Sequence, residues 1–153
     1  MELVLWLLLV AAVLHVVEEW LWPGGFLSWL RQFAGFAQGL SRRLAVGVNV
    51  AFLAFMLAAA LVADTNPRFS LSAASLCFTN GLLHVVGTAR TKRYSPGLVT
   101  GALLYLPLAV AAYAAAADEI DATDWIASLI LGASLQAAAI GAMLLRLRFS
   151  RIS

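Results

Sequence analysis

His15, Glu18 and Glu19 fall inside an apolar stretch near the start of the chain, where an ionisable side chain is costly enough to imply a use. At 100° per residue, Glu18 lies about 60° to one side of His15 and Glu19 about 40° to the other, so one helix face presents an imidazole flanked by two carboxylates. The second histidine, His84, stands four residues after Asn80 in another apolar stretch and shares a helix face with it. Two imidazoles and two carboxylates, with Asn80 or Asn49 as an oxygen ligand or as support behind the ligands, suit Zn²⁺ with an open coordination position or a carboxylate-bridged iron pair. The chain holds 2 histidines, too few for the histidine-rich di-iron site of membrane desaturases, and a ferritin-like site wants more carboxylates than Glu18 and Glu19. A mononuclear site, its bound water used for hydrolysis or addition, is the simpler version.

The same residues permit metal-free chemistry. Burial would keep one glutamate protonated as a general acid while His15, His84 or the other glutamate acts as base, a division fit for cyclisation, isomerisation or epoxide opening. A third reading is not enzymatic: two histidines at one depth could ligate haem, or the group could relay protons or bind an ion. Haem is disfavoured by two acids beside an axial histidine. Transport ranks below catalysis, because it needs access from both faces and the half of the helices away from these residues has almost no polar lining.

Helices must position this set, and composition says where those helices lie. Of 153 residues, 63% are hydrophobic and 12% charged, far from the half apolar and one quarter charged of soluble domains. The reading is all-α, a single domain folded as a five-helix transmembrane bundle. Apolar runs bounded by charge, Gly and Pro give spans at about 3–21, 43–63, 70–89, 97–117 and 124–146. Ser41 is the expected N-cap of the second span, and Ser95-Pro96 opens the fourth. Between spans one and two, about residues 24–40, Phe26, Leu27, Trp29, Leu30, Phe33 and Phe36 alternate with Gly, Ser and Gln, the pattern of a short amphipathic helix lying in the interface. The first dozen residues resemble a secretory signal but lack its positive start and its cleavage site, so the segment reads as a retained helix. Cys77 is alone in the chain and reads as packing.

Nine of the 10 Lys and Arg residues follow spans one, three and five: Arg31, Arg42, Arg43, Arg90, Lys92, Arg93, Arg146, Arg148 and Arg151. Only Arg68 falls on the other side, so the expected topology has the N-terminus outside and the C-terminus in the cytoplasm. With that topology, His15 lies about 10 Å before Trp22, Asn49 about 9 Å beyond Arg43 and His84 about 9 Å before Arg90, all at one depth. Asn80 lies one turn deeper, Thr100 about 6 Å past Pro96 and Gln136 about 15 Å before Arg146. The buried polar groups thus gather in the cytoplasmic half. Asn49, Asn80, Thr100 and Gln136 are expected behind the reacting groups or against substrate, although amides and hydroxyls also join helices to one another. Tyr94 reads as an interfacial anchor at the cavity mouth that could contact a polar head. The triad Arg90, Lys92, Arg93 is first an orientation signal and second an anion contact.

The string His15-Val16-Val17-Glu18-Glu19 resembles the signature of the HXXEE family, small bacterial membrane proteins named for that motif. The stretch from Asn80 and His84 through Arg90 to Tyr94-Ser95-Pro96-Gly97 is also similar to that family. The resemblance implies a functional His and Glu pair and supplies no reaction. The expected partners are the lipid bilayer and a lipophilic small molecule that enters between helices or past the interfacial helix. No basic cluster interleaved with aromatics points to nucleic acid. A homo-oligomer is compatible with the sequence and not required by it.

Overall fold

The computed structural model describes residues 1–21, 24–33 and 41–149, with side chains to Gly141. Its helices are α1 (Glu2–Leu21), α2 (Gly25–Phe33), α3 (Arg42–Leu61), α4 (Pro67–Thr91), α5 (Leu98–Ala115) and α6 (Ala122–Phe149). Five of these, all but α2, are long and apolar enough to cross a membrane. Their outward faces are apolar too: Leu7, Val10, Leu14, Val50, Leu103 and Ile130 are exposed, the surface of an integral membrane protein and not of a soluble bundle. The short amphipathic helix stands between the first two spans as expected, over Gly25–Phe33. Phe36 and the rest of residues 34–40, Trp22, and the side chains of Arg146, Arg148 and Arg151 lie outside the described residues.

Local chemistry sets the helix ends. Ser41 is in extended backbone and its hydroxyl accepts from the Leu44 amide at 3.2 Å, capping α3. Asn66 does the same for α4 through Phe69 at 3.1 Å, and Pro67 fills the first helical position. Asp121 accepts from the Asp124 amide at 2.8 Å and starts α6. Ser95, expected to cap α5, does not. That helix begins three residues later, after Gly97 in left-handed backbone at φ +102°, and its first amides are held by a carboxylate from α1. A carboxylate offers two oxygens and a negative charge to the positive helix end, which one serine hydroxyl cannot match.

α4 is the central strut, touching α1, α3, α5 and α6. On α1 the buried positions Leu5, Leu8, Ala12 and His15 follow a 3-4-3 spacing, one packing seam that Glu19 continues by a further step of four. Away from the motif Ala12, Ala59, Ala60, Ala73, Ala74, Ala109 and Ala112 are fully buried, small side chains that let backbones approach. That half is also more polar than its sequence suggests. Ser70, Ser72, Ser75 and Ser128 are buried in it, and each hydroxyl donates to a backbone carbonyl. Ser70 reaches Ala59 of α3 at 2.7 Å and Ser75 reaches Leu129 of α6 at 3.1 Å, so these serines tie neighbouring helices together. At the ends of α4 and α6 an ion pair joins Arg68 to Asp124.

Candidate metal centre

Three side chains from two helices converge at the far end of the α1 seam. His15 and Glu19 stand one turn apart on α1, and His84 projects from α4. Their donor atoms all lie within 4.8 Å of one another. Glu19 Oε1 is 3.6 Å from His15 Nε2 and 3.4 Å from His84 Nε2. Both imidazoles are 2% exposed and the glutamate side chain 11%, so whatever the three do happens almost out of water.

Each histidine is held from behind by a hydroxyl. His15 Nδ1 is 2.8 Å from Thr100 Oγ1, and His84 Nδ1 is 2.9 Å from Ser95 Oγ. Thr100 Oγ1 in turn lies 2.6 Å from Glu18 Oε2. A carboxylate only accepts, so the threonine proton points to Glu18 and the threonine oxygen accepts from His15 Nδ1–H. That chain fixes the His15 tautomer from the hydrogen-bond network and turns an Nε2 lone pair toward Glu19. Among the described residues His15 Nε2 has no hydrogen-bond partner.

Glu18 is elsewhere. Its Oε1 accepts from the amides of Gly97 and Val99 at 2.9 and 3.1 Å and from the Tyr94 hydroxyl, while Oε2 accepts from the Thr100 amide at 2.9 Å and the Thr100 hydroxyl. Both oxygens are committed to the start of α5, and Glu18 does not line the cavity that Glu19 faces. The two neighbouring acids therefore divide the labour: Glu19 meets the histidines, and Glu18 docks the segment that carries Ser95, Gly97 and Thr100 against them. Tyr94 belongs with Glu18 and also lies off the cavity lining. Burial, then its hydrogen bond to Glu18, pushes the phenol up to about 12, so it stays a donor through the neutral range.

The backbone of this segment forms one wall of the site. A Cβ on Gly97 would stand 2.7 Å from the Cε1 of both histidines, so only glycine fits there, quite apart from its positive φ. Beyond Thr100, α5 widens into one π turn, Gly101–Tyr105. In an α-helix residues five apart diverge by about 140°, whereas i→i+5 hydrogen bonding brings them over one another. Thr100 and Tyr105 consequently both reach His15, one through its hydroxyl and the other by stacking with ring centroids 4.5 Å apart. Pro107 follows and has no N–H for the Leu103 carbonyl, which favours the irregular turn. Gly81 and Gly101 meet so closely that a Cβ on Gly81 would lie 2.9 Å from the Gly101 oxygen, which brings that turn within reach of α4. From α2, Phe26 packs on His84 with centroids 4.8 Å apart.

The site opens into a cavity of about 1260 Å³ lined by residues of α1, α2, α3, α4 and α6. His15, Glu19 and His84 border it, as do Asn49, Asn80 and Gln136 from three different helices. Of the residues named from the sequence, then, His15, Glu19 and His84 form the cluster and the three amides face the same space. Thr100 stands behind His15, and Glu18 and Tyr94 form the brace. Ser95, Gly97, Tyr105 and Phe26 were not foreseen as contacts of the histidines. Ser95-Pro96-Gly97 carries a detectable signal, a turn directly before a helix. The Tyr105 contact depends on the π turn.

The family described as "Protein of unknown function with HXXEE motif" matches residues 6–112, well over half of the sequence, and the chain belongs to it. No curated protein and no solved structure matches.

Proposed function

We propose that this HXXEE protein is a membrane-embedded metalloenzyme that binds one Zn²⁺ or Fe²⁺ through His15 Nε2, His84 Nε2 and a Glu19 oxygen and acts on a lipophilic substrate. The observation that carries the reading is the spacing of the three donor atoms. At 3.4 and 3.6 Å the nitrogens stand beyond the N–H···O range from Glu19. Four ligands at about 2.0–2.1 Å from a tetrahedral ion are separated by roughly 3.3–3.4 Å, which is close to both distances. The His15 tautomer favours the same reading, since its Nε2 lone pair faces a carboxylate oxygen and needs a cation between them. Two imidazoles and one carboxylate leave at least one position for water or substrate, the ligand number of hydrolytic zinc and of non-haem iron sites.

Held by His15, Glu19 and His84, a Zn²⁺ or Fe²⁺ would supply Lewis-acid activation of a substrate oxygen or of water, the requirement for hydrolysis or addition. The protein's own groups do the rest. Thr100 and Ser95 orient the imidazoles, the Glu18 brace keeps both hydroxyls in place, and Tyr105 and Phe26 shield the ring faces from lipid and water. The apolar walls of the cavity accommodate a lipid, an isoprenoid or a similar hydrophobic molecule. Six basic residues at the cavity end, Arg31, Arg42, Arg43, Arg90, Lys92 and Arg93, against Arg68 at the other, support an inner-membrane orientation with the cavity toward the cytoplasm and the N-terminus outside.

A metal-free reading, with Glu19 sharing a proton between two imidazoles, is favoured by the same convergence and separates on one measurement. Elemental analysis of the protein purified without chelator should give about one equivalent of Zn or Fe. His84→Ala should lower that content at least 10-fold while the protein stays folded, and Glu19→Gln should lower it similarly because the amide keeps the shape and loses the charge. Sub-stoichiometric metal in the wild-type protein, unresponsive to either substitution, overturns the metalloenzyme and leaves acid and base catalysis.

A further inference from the structure

The cavity is charged at its rim in a way the cluster does not explain. Its lining includes Arg31, Arg42 and Arg90, and among the described residues the only acid in that lining is Glu19, whose Oε1 faces the two imidazoles. Arg42 opens α3 and Arg90 lies in the last turn of α4, so both stand at the end of the bundle that holds the site. Arg42 lies over the Trp20 ring, its guanidinium carbon 5.3 Å from the centroid, and among the described residues neither Arg42 nor Arg90 has a carboxylate within ion-pair distance. Below them the walls turn apolar, with Phe52, Phe55, Leu76, Leu83, Leu135 and Ile140. One turn of α4 beyond His84, on the side away from the rim, sits Asn80, whose buried Oδ1 has no hydrogen-bond partner among the described residues.

We infer that the ligand of this cavity is an anionic amphiphile, its carboxylate or phosphate held by Arg42 and Arg90 at the rim and its apolar chain lying along α3, α4 and α6. The inference rests on the reading of the cluster as the reacting centre for the choice of reacting atom, and on the rim alone for the charge. His84 precedes Arg90 by six residues, about 9 Å of helix axis at 1.5 Å per residue. The reacting group therefore lies about 9 Å from the acidic group along the molecule and not next to it. Guanidinium suits this task because its fork pairs with two oxygens of a carboxylate or phosphate. An unpaired acceptor at Asn80 asks for a hydroxyl or amide N–H on the ligand near the reacting end.

The test is binding in a neutral detergent, followed by the fluorescence of Trp20 and Trp29, which line the cavity. Dodecyl phosphate and dodecanoate should quench saturably and at least 10-fold tighter than dodecanol, and dodecyltrimethylammonium should not compete. Arg90→Gln and Arg42→Gln should each weaken dodecyl phosphate about 10-fold, the size of a lost charge-assisted hydrogen bond, and leave dodecanol unchanged. Arg90→Lys, keeping the charge, should fall between. Phosphatidylglycerol in nanodiscs that displaces bound dodecyl phosphate assigns the anion to a bilayer lipid, and failure to displace it assigns a single-chain molecule. Equal affinity for dodecanol and dodecyl phosphate, or indifference to both arginine substitutions, overturns the inference. Binding with the expected anion preference in a protein that holds no metal overturns the metalloenzyme alone.

Discussion

The two ends of this bundle use polar residues in opposite ways. Where α4 packs on α3 and α6, every buried serine hydroxyl donates to a carbonyl, and Tyr113 is bonded to Ser128 at 2.8 Å and to the Leu71 carbonyl at 3.3 Å. At the other end His15 Nε2, Asn80 Oδ1, Trp29 Nε1 and Tyr105 Oη are buried without hydrogen-bond partners among the described residues. A buried unsatisfied group costs about 1–3 kcal/mol, so the second end gives up stability that the first secures. At one end polar groups join helices; at the other, His15, Trp29 and Asn80 carry unsatisfied polar atoms and line a cavity.

The contrast can be broken most severely at Gly97. Gly97→Ala places a methyl 2.7 Å from both imidazoles in a backbone conformation at φ +102°, at a cost of roughly 1–3 kcal/mol for the strain alone. We expect metal content to fall at least 10-fold, measured by elemental analysis, in a protein whose melting temperature also drops. Gly132→Leu attacks the other end, where a Cβ would stand 2.5 Å from the Ser72 carbonyl and from Ser75. Overpacking of this kind costs about 1–3 kcal/mol. The melting temperature should fall while the folded fraction keeps its metal, and loss of both together would mean that the two ends are not separable.

A smaller effect follows from Tyr94, whose hydroxyl donates to Glu18 and whose pKa is pushed up to about 12 from 10.0. A raised folded-state pKa means that this group's stabilisation is complete below pH 10.0 and is lost as pH climbs toward 12. Thermal melts across that interval should show a decline that is flatter in Tyr94→Phe, which never had the hydrogen bond to lose. The smallest change is expected from Ser70→Ala. It removes one hydroxyl-to-carbonyl link between α4 and α3, worth about 0.6 kcal/mol by the average for membrane proteins, and should leave metal content untouched. A large loss of metal in that variant would contradict the division between the ends.

Most of the fold was legible because hydropathy and helix punctuation are local signals. The five spans, the Ser41 cap and the amphipathic α2 all rest on a few adjacent residues. The meeting of His15, Glu19 and His84 was legible by a longer route, the similar depth of polar residues on the first three spans. What could not be read is which glutamate does what. Glu18 and Glu19 differ on the helix wheel by 100°, and only the arrival of the α5 N-terminus beside α1 gives one of them to backbone amides. The buried serines escaped for a similar reason, since Ser70 and Ser75 interrupt the hydropathy of α4 and find their carbonyl partners only once α3 and α6 are in place. The Tyr105 contact needed a turn of helix whose period is not that of the sequence pattern.

The brace at Glu18 has a consequence for how the protein is made. Thr100 lies 82 residues after Glu18 in the chain, and His84 follows Glu19 by 65. At about 5–20 residues per second, a ribosome needs roughly 4–16 s to travel from the first acid to its last partner. Over that interval α1 must wait in the translocon or the bilayer with two carboxylates unmatched, so its final seating is a late event although it is synthesised before α4 and α5. Nascent chains stopped before Gly97 should therefore remain open to membrane proteases, and release from quality control should coincide with the insertion of α5.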